Sequence, residues 1–325
     1  MKHSFVHSTG SYLPENHVAN EALTQFPPGA AEVIAQKTGI LSRRFANLDQ
    51  CTSDLAIQAA ANCLEKGDVS PGEIEVIIVA TSSPDRKQPA TATRVQHFLD
   101  AKNAFAFDIN SVCSGSTYGI FLADAIIKAG QFETVLLVGA EVYSKLLSPK
   151  DFSTFPFFGD GAGAVLFTAG SQGEGVLHSC LETDGSEHNV IQVPAGGSMM
   201  PFDRLENRGD LFFKMNGKKV FSFAIEQGTQ IILKLLEETG FRPRDINCFI
   251  AHQANINIIR KIADNIQVSF DRFFINLHDH GNTAGASVLI ALDEAIDRGM
   301  IKRGDLVLTV AFGGGLSWGA NLIGY

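Results

Sequence analysis

The sequence around Cys113 places a cysteine where it can act as a nucleophile. The apolar run Ala104–Ile109 predicts a strand, and small residues then lead into a helix predicted over Ser114–Ala129. A cysteine at the start of a helix faces unpaired backbone N–H groups and the positive end of the helix dipole. Both favour the thiolate, which is the nucleophilic form. The alternative is a buried structural cysteine, the usual state of an unpaired cysteine.

Two further polar side chains stand at comparable places in the pattern. His252 directly follows the apolar run Cys248–Ala251, and residues at the ends of strands often form the sites of α/β proteins. It could act as a base or donate a hydrogen bond to an oxyanion, or it could be an ordinary hydrogen-bonded histidine. Asn282 precedes a helix predicted over Ala286–Arg298. It could cap that helix, or it could donate a hydrogen bond to an enolate oxygen without itself titrating.

Neither a metal site nor a dinucleotide site is predicted. The histidines lack HExxH spacing and the cysteines lack CxxC spacing. GDGAGA (159–164) precedes a strand and does not match GxGxxG between a strand and a helix. The three glycines of AFGGGLSWG (311–319) allow close approach to a ligand, but such turns are common and the signal is weak.

The composition excludes several classes of protein. The chain has 325 residues and a net charge of −9, which argues against a broad nucleic-acid surface. Five cysteines, an odd number, argue against a disulfide framework, and the four besides Cys113 are predicted to be structural. No signal-peptide core is visible, and the longest apolar runs fall far short of the ~20 residues that span a bilayer. We therefore expect a soluble, cytoplasmic protein.

Short apolar runs alternate with helical stretches, which indicates an α/β fold, and one part of the chain resembles another. LADAIIKAG (122–130) resembles ALDEAIDRG (291–299), and an offset of 299 − 130 = 169 places Cys113 on Asn282. A slightly different offset, 252 − 80 = 172, pairs Ala80 with His252. We predict two related halves, residues 1–172 with the cysteine and residues 173–325 with the histidine and asparagine. The alternative is that unrelated α/β units share this rhythm.

Six motifs follow one another over nearly the whole chain: KTGILSRR, DINSVCSG, FGDGAGAVLF, IAHQAN, HGNTAGASVLIALDEA and FGGGLSWGANL. In this order they resemble the type III ketoacyl-acyl-carrier-protein synthases of the thiolase superfamily. The resemblance implies a thiolase-like α/β fold of duplicated βαβαβαββ halves in five layers, α-β-α-β-α. It also implies a homodimer.

The resemblance further implies a mechanism. Cys113 takes an acyl group from a thioester donor, carried by coenzyme A or by an acyl carrier protein. A malonyl thioester on an acyl carrier protein then binds, and His252 and Asn282 hydrogen-bond its carbonyl as CO2 leaves. The carbanion attacks the acyl-cysteine, whose oxyanion is held by the backbone N–H groups of Cys113 and Gly314. No cofactor is needed beyond coenzyme A or phosphopantetheine thioesters as substrates.

Four positions depart from the family pattern. Val33 and Phe152 stand where members that use acyl-coenzyme A have a tryptophan and an arginine that hold the adenine. Gln88 replaces a phenylalanine that reaches across the dimer to bound the acyl pocket, and Asn257 replaces an arginine that helps dock the carrier protein. We therefore expect a specialised synthase with a carrier-protein-bound or unusual donor. The alternative is that another residue restores the coenzyme A contact.

A carrier protein is acidic, so an acidic enzyme needs a local basic patch to bind it. The candidate docking residues are Lys214, Lys218, Lys219, Arg260 and Lys261.

Three other functions remain open: an acyltransferase that forms an ester or amide without decarboxylation, a non-catalytic partner subunit, and a cysteine hydrolase. The cysteine argues against the second, and the asparagine favours condensation over the first.

Overall fold

The computed structural model describes residues 2–170 and 174–325. Its strands are β1 (His3–Tyr12), β2 (Asn16–Ala19), β3 (Ser42–Phe45), β4 (Val76–Ala80), β5 (Phe105–Ile109), β6 (Thr134–Glu141), β7 (Gly161–Gly170), β8 (Gly175–Thr183), β9 (Ile191–Gln192), β10 (Lys214–Met215), β11 (Cys248–Ala251), β12 (Leu306–Gly313) and β13 (Ser317–Gly324).

The α-helices are α1 (Ala30–Thr38), α2 (Thr52–Gly67), α3 (Thr91–Phe98), α4 (Gly115–Lys128), α5 (Gly217–Thr239), α6 (Ile256–Asn265), α7 (Leu277–His280) and α8 (Ser287–Asp297). The predicted apolar runs at residues 76–80 and 248–251 coincide with β4 and β11. The two helices predicted after Cys113 and Asn282 are α4 and α8, each within two residues of its expected ends.

Two sheets form the centre of the molecule. The first has the order β1-β7-β6-β4-β5, with β4 parallel to β5 and β6, and β7 antiparallel to β6 and β1. The second has the order β8-β13-β12-β11, with the same sequence of antiparallel and parallel pairings. A parallel bridge from Phe249 to Phe273 stands where the first sheet has β5.

The strands of the two sheets follow the same spatial order, as expected for a duplicated chain. Strands of the first sheet lie within residues 3–170 and strands of the second within residues 175–324. The predicted boundary between residues 172 and 173 lies outside the described residues, because residues 171–173 are not described.

Helices cover both faces of both sheets, which explains why β4 and β11 are apolar along their whole length. Helices α2 and α3 pack on the outer face of the first sheet. Helix α5 packs on the outer face of the second sheet, and α6 packs against α5. Helices α4 and α8 lie between the sheets and contact strands of both. The predicted five layers, α-β-α-β-α, are thus confirmed.

Close packing in the middle layer positions the functional turns. A side chain at Gly163 of β7 would meet the backbone nitrogen of Ile290 at 2.6 Å, so only glycine lets α8 approach this strand. Helix α8 therefore lies directly on the first sheet, although its residues belong to the second half of the chain. Within the described residues, no helix is long and apolar enough to cross a membrane.

Candidate active site

A cavity of about 600 Å³ opens where the starts of the two central helices meet, and it contains the three residues that the sequence singled out. Cys113 lies in the 3₁₀ turn that precedes α4, and His252 directly follows β11. Asn282 lies between α7 and α8. All three side chains line this one cavity, although up to 169 residues separate them in the chain.

The turn that carries Cys113 has an unusual backbone. Val112 has a φ of 47°, in the left-handed region that β-branched residues rarely adopt. Ala284, 172 residues later, has a φ of 45° in the turn that precedes α8. Both central helices thus begin from the same kind of strained turn. The Oγ of Ser116 donates a hydrogen bond to the carbonyl of Gly285, which ties the two turns together.

The surroundings of Cys113 favour the protonated thiol over the thiolate. Burial raises the pKa of Cys113 well above its usual value, and the nearby Glu141 carboxylate raises it further. The contact of the sulfur with its own backbone N–H acts in the other direction and is the smaller effect. Burial and the Glu141 carboxylate thus act against the thiolate that the helix start was expected to favour, and the thiolate stays a prediction.

Glu141 is itself fully buried and accepts hydrogen bonds from a group of hydroxyls in one loop. Ser83 Oγ donates at 2.5 Å, Ser82 Oγ at 2.9 Å and Thr81 Oγ1 at 3.3 Å. Burial raises the pKa of Glu141 to about 7, although these bonds act against the rise. No motif in the sequence marks this carboxylate, which is the last residue of β6.

The ring of His252 is neutral and held in one orientation. Burial lowers its pKa to about 3, so the imidazole is uncharged at neutral pH. Its Nδ1 lies 2.6 Å from the Oγ of Ser287, which also accepts the backbone N–H of Gln253 at 3.4 Å. Since the Ser287 oxygen already accepts one hydrogen, its own hydrogen can point to Nδ1. Nε2 then carries the proton and remains as the ring donor for a ligand.

The side chain of Asn282 is also fixed. Its Oδ1 accepts the backbone N–H of Ala284 at 2.9 Å, which leaves Nδ2 to donate. Its backbone N–H donates to the carbonyl of Phe157 at 2.8 Å, and its carbonyl accepts from Gly159 at 3.0 Å. Asn282 thus fixes the turn before α8 and offers an uncharged donor to the cavity. It does not cap α8, because the residue that precedes this helix is Ala286 and no side chain caps it.

The glycine turn after β12 closes around the cysteine. A side chain at Gly313 would lie 2.8 Å from the backbone nitrogen of Cys113 and 2.9 Å from its Cβ, so glycine is required for this approach. Gly313 lines the cavity, whereas a side chain at Gly314 would meet Ile191 and Val112. The role of the Gly314 N–H in an oxyanion hole stays a prediction.

The candidate docking residues differ in their surroundings. Lys218 lines the cavity, as does Lys37, which is not among the residues predicted from the sequence. Lys214 pairs with Asp210, and Lys219 pairs with Glu187 at 2.8 Å. Arg260 lies over the ring of Phe270 at 4.8 Å, and Lys261 is exposed on the same helix. Lys218 is thus the member of the set placed at the cavity itself.

The four departures from the family pattern are visible in the structure. Val33 is exposed on α1, and Phe152 packs edge-on against Phe26 with ring centroids 5.1 Å apart. The side-chain amide of Asn257 donates to the carbonyl of Lys37 at 2.9 Å. Gln88 is exposed and does not line the cavity of its own chain, so its role as a pocket wall would require a partner subunit.

The five layers, with a cysteine, a histidine and an asparagine on one central cavity, define an acyltransferase of the thiolase fold. The family model described as 3-oxoacyl-[acyl-carrier-protein (ACP)] synthase III matches residues 107–185, and the model of its C-terminal part matches residues 236–325. The β-ketoacyl-[acyl-carrier-protein] synthase III of Clostridium acetobutylicum is 40% identical over 97% of this chain and 96% of that protein. The chain belongs to the 3-oxoacyl-[acyl-carrier-protein] synthase III family, as its motifs predicted.

Further relatives agree with this assignment. The β-ketoacyl-[acyl-carrier-protein] synthase III of Caldanaerobacter subterraneus subsp. tengcongensis is 43% identical over 97% of this chain and 96% of that protein. The structure of 3-oxoacyl-[acyl-carrier-protein] synthase III from Aquifex aeolicus matches with a TM-score of 0.91 and 37% identity, covering 99% of this chain and 100% of that one. The priming β-ketosynthase of the R1128 polyketide pathway matches with a TM-score of 0.91 and 28% identity, covering 99% of this chain and 96% of that one.

Proposed function

We propose that this chain condenses an acyl thioester with malonyl-acyl-carrier-protein, releasing CO2 and forming a 3-oxoacyl thioester. The observation that carries the proposal is the convergence of Cys113, His252 and Asn282 on one cavity. A thiol is suited to covalent acyl transfer, and two uncharged hydrogen-bond donors are suited to a developing enolate. Such a reaction starts fatty-acid synthesis or a secondary-metabolite chain.

In the first step the sulfur of Cys113 attacks the carbonyl of the donor thioester. Burial favours the protonated thiol, so the proposed step breaks the S–H bond as the new S–C bond forms. The carbon–sulfur bond of the donor then breaks, and the proton leaves with the departing thiol. The result is an acyl-cysteine and a free coenzyme A or phosphopantetheine thiol.

In the second step the malonyl thioester loses CO2. The electrons of the broken C–C bond move onto the thioester carbonyl, and the enolate oxygen accepts hydrogen bonds from His252 Nε2 and Asn282 Nδ2. Since both donors are neutral and already held in place, they need no reorganisation as the charge develops. Attack of the carbanion on the acyl-cysteine forms the new C–C bond and expels the Cys113 thiolate, which takes up a proton.

The proposed reaction is tested with purified enzyme, an acyl donor and malonyl carrier protein, with the product identified by mass and CO2 measured separately. We expect equal amounts of CO2 and 3-oxoacyl carrier protein. An ester or amide product without CO2 would assign the chain to the alternative acyltransferase reaction. Acyl transfer to water alone would assign it to the hydrolases.

We expect Ser287→Ala to slow CO2 release about tenfold, because the histidine ring then loses the hydroxyl that directs its proton to Nε2. Loading of Cys113 from the donor should stay within about twofold of wild type, since that step does not require the Nε2 donor. Ser287→Thr keeps a hydroxyl and is the matched control. Equal slowing of loading and CO2 release, or failure of the threonine variant to restore the rate, would contradict this role.

We expect an acyl carrier protein to be the better acyl donor, by at least about tenfold in the rate of Cys113 loading. The proposal rests on Val33 and Phe152, which offer neither the indole nor the guanidinium with which related enzymes hold the adenine of coenzyme A. The measurement is the mass of the cysteine adduct against time with acetyl-coenzyme A and with acetyl carrier protein at equal concentrations. Equally fast loading by acetyl-coenzyme A would contradict the proposal that a carrier protein is the preferred acyl donor. It would not contradict the condensation reaction.

We expect Lys218→Glu to raise the KM for malonyl carrier protein about tenfold with little change in kcat, because the charge lies at the cavity and faces an acidic partner. Lys302→Glu is the matched control. Lys302 precedes the start of β12, and the other end of this strand, about 26 Å away, meets Cys113. The KM difference should shrink at high salt. An unchanged KM for Lys218→Glu would remove this residue from the docking surface.

We further propose that two chains form a homodimer through the edge of the first sheet. Strand β5 is the last strand of that sheet. Phe105, its first residue, and Phe98, at the end of α3, are 46% and 58% exposed. An edge strand with exposed aromatic side chains is suited to pairing with a second copy. Gln88 would then reach the partner's acyl pocket.

The five free cysteines fit a reducing compartment, and we expect the enzyme to work in the cytoplasm.

A further inference from the structure

Three side chains of different donor chemistry meet on the outer side of the second sheet, away from the catalytic cavity. His178 and Cys180 lie on β8, and Glu238 lies in the last turn of α5. The histidine Nε2 lies 2.7 Å from the glutamate Oε2, and the cysteine Sγ lies 3.3 Å from the same oxygen. All three ligand atoms lie within 4.8 Å of one another. We propose that they form a binding site for a thiophilic divalent cation such as Zn²⁺.

The backbone explains why the three side chains converge. Residues two apart on a strand point to the same face, so His178 and Cys180 both face the helix that covers β8. The strand is fixed in the sheet, because Cys180 is opposite Ala320 and His178 is opposite Leu322 on β13. Glu238, at the C-terminal end of α5, then supplies the third ligand atom. The sequence gives no sign of this, since the glutamate lies 58 residues beyond the cysteine and on another element.

The donor set selects the class of ion. A nitrogen, a thiolate sulfur and a carboxylate oxygen are together typical of Zn²⁺ and of metals that share its tetrahedral preference, whereas Mg²⁺ and Ca²⁺ avoid sulfur. Around Zn²⁺ the ligand atoms would be about 3.3–3.6 Å apart. The 2.7 Å and 3.3 Å separations seen here therefore need to change by less than about 1 Å. The third pair, at up to 4.8 Å, needs to close by about 1 Å.

The charges around the site also favour a cation. Lys234 and Glu182 pair with each other one helical turn away, so their charges cancel. A histidine ligand binds a metal ion as the neutral ring, so in that form of the group the carboxylate of Glu238 gives a charge of −1. Glu238 also stands at the negative end of the α5 dipole, where a carboxylate alone is unfavourable and a cation is favoured. An M²⁺ ion that displaces one proton brings the total to −1 + 2 − 1 = 0.

Protons now occupy the positions that a metal ion would take. The thiol of Cys180 donates to the Glu238 carboxylate, and burial together with that carboxylate raises the pKa of Cys180 to about 12. Binding therefore breaks the S–H bond, forms a metal–sulfur bond and releases one proton to solvent, with no change in oxidation state. The histidine and glutamate side chains are 37% and 42% exposed, which provides a path for the ion and room for a water as fourth ligand.

The ion would fasten the C-terminal end of α5 to the edge strand of the second sheet. The N-terminal end of the same helix lines the catalytic cavity at Gly217–Phe223, about 27 Å away along the helix axis. Since the ion touches no catalytic group, we expect it to raise the Tm of the protein without altering the rate of condensation.

The site is tested by titrating metal-free protein with Co²⁺, whose bonds to thiolates give an absorption band in the near ultraviolet. We expect one Co²⁺ per chain, displaced by Zn²⁺. Cys180→Ser should abolish the thiolate band, and His178→Gln and Glu238→Gln should each weaken affinity at least tenfold. Cys51→Ser is the matched control and should bind as wild type does.

Cys113→Ser separates this site from the catalytic thiol. Its cobalt band should equal that of wild type, and Zn²⁺ should raise the Tm of both proteins but not of Cys180→Ser. A band that persists in Cys180→Ser, a band that disappears in Cys113→Ser, or no band in wild type would overturn the proposal. Condensing activity in Cys180→Ser, which does not depend on the metal site, shows that this variant is folded.

Discussion

Cys113→Ala should lose condensation by about a thousandfold or more, because no other thiol among the described residues lines the cavity to carry the acyl group. The variant should nevertheless release CO2 from malonyl carrier protein, since His252 and Asn282 remain in place. The carbanion then takes a proton and leaves as an acetyl thioester. The measurement compares CO2 with 3-oxoacyl product, which are equal in wild type and should separate completely in the variant.

Cys51→Ala is the control for this result. Its sulfur is half-buried and held near Arg94, and it lies outside the cavity, so both products should form at wild-type rates. Condensation that survives in Cys113→Ala would refute covalent catalysis at this residue. Loss of CO2 release together with condensation would instead show that the sulfur is needed for the shape of the cavity.

Asn282→Asp should slow CO2 release by about a hundredfold to a thousandfold, while Cys113 still loads from the acyl donor. The two side chains have the same shape, and one aspartate oxygen can still accept the backbone N–H of Ala284. The other oxygen cannot donate a hydrogen bond when ionised, and it places a negative charge beside a developing enolate. The variant should thus keep the fold, but it replaces a hydrogen-bond donor to the enolate oxygen with a negative charge that repels this oxygen.

Asn282→Ala distinguishes the lost donor from the added charge. It removes the hydrogen bond without adding a carboxylate, so its rate should lie between those of wild type and Asn282→Asp. Rates of CO2 release and of adduct formation are measured for all three proteins. An aspartate variant as active as wild type, or equal losses in both steps, would contradict the assignment of this amide to the enolate.

Local sequence signals predicted the elements that support the site. The apolar runs that became β4 and β11 are buried on both sides, and such strands leave an uninterrupted pattern in the sequence. Cys113 and His252 could be singled out because each lies beside a recognisable run or helix start. The layered fold came from the order of the motifs. The meeting of the three residues was also indicated by the internal repeat, whose offsets pair Cys113 with Asn282 and Ala80 with His252.

Properties that depend on distant neighbours could not be predicted. The high pKa of Cys113 depends on burial and on Glu141, which belongs to another strand. The orientation of the His252 ring depends on Ser287, 35 residues further along the chain. Neither contact repeats with the period of a helix or a strand, so no sequence pattern marks it.

The two strained turns have a consequence for how the enzyme can be divided. Left-handed backbone at Val112 and Ala284 costs of order 1–3 kcal/mol at each position and persists only under the restraint of its surroundings. Here each turn is restrained by the other, through the bond between Ser116 and Gly285. A fragment that holds only the first sheet would lack this contact, so we expect its backbone at the nucleophile to relax. The geometry at the nucleophile thus depends on the packing of residues from both halves of the chain.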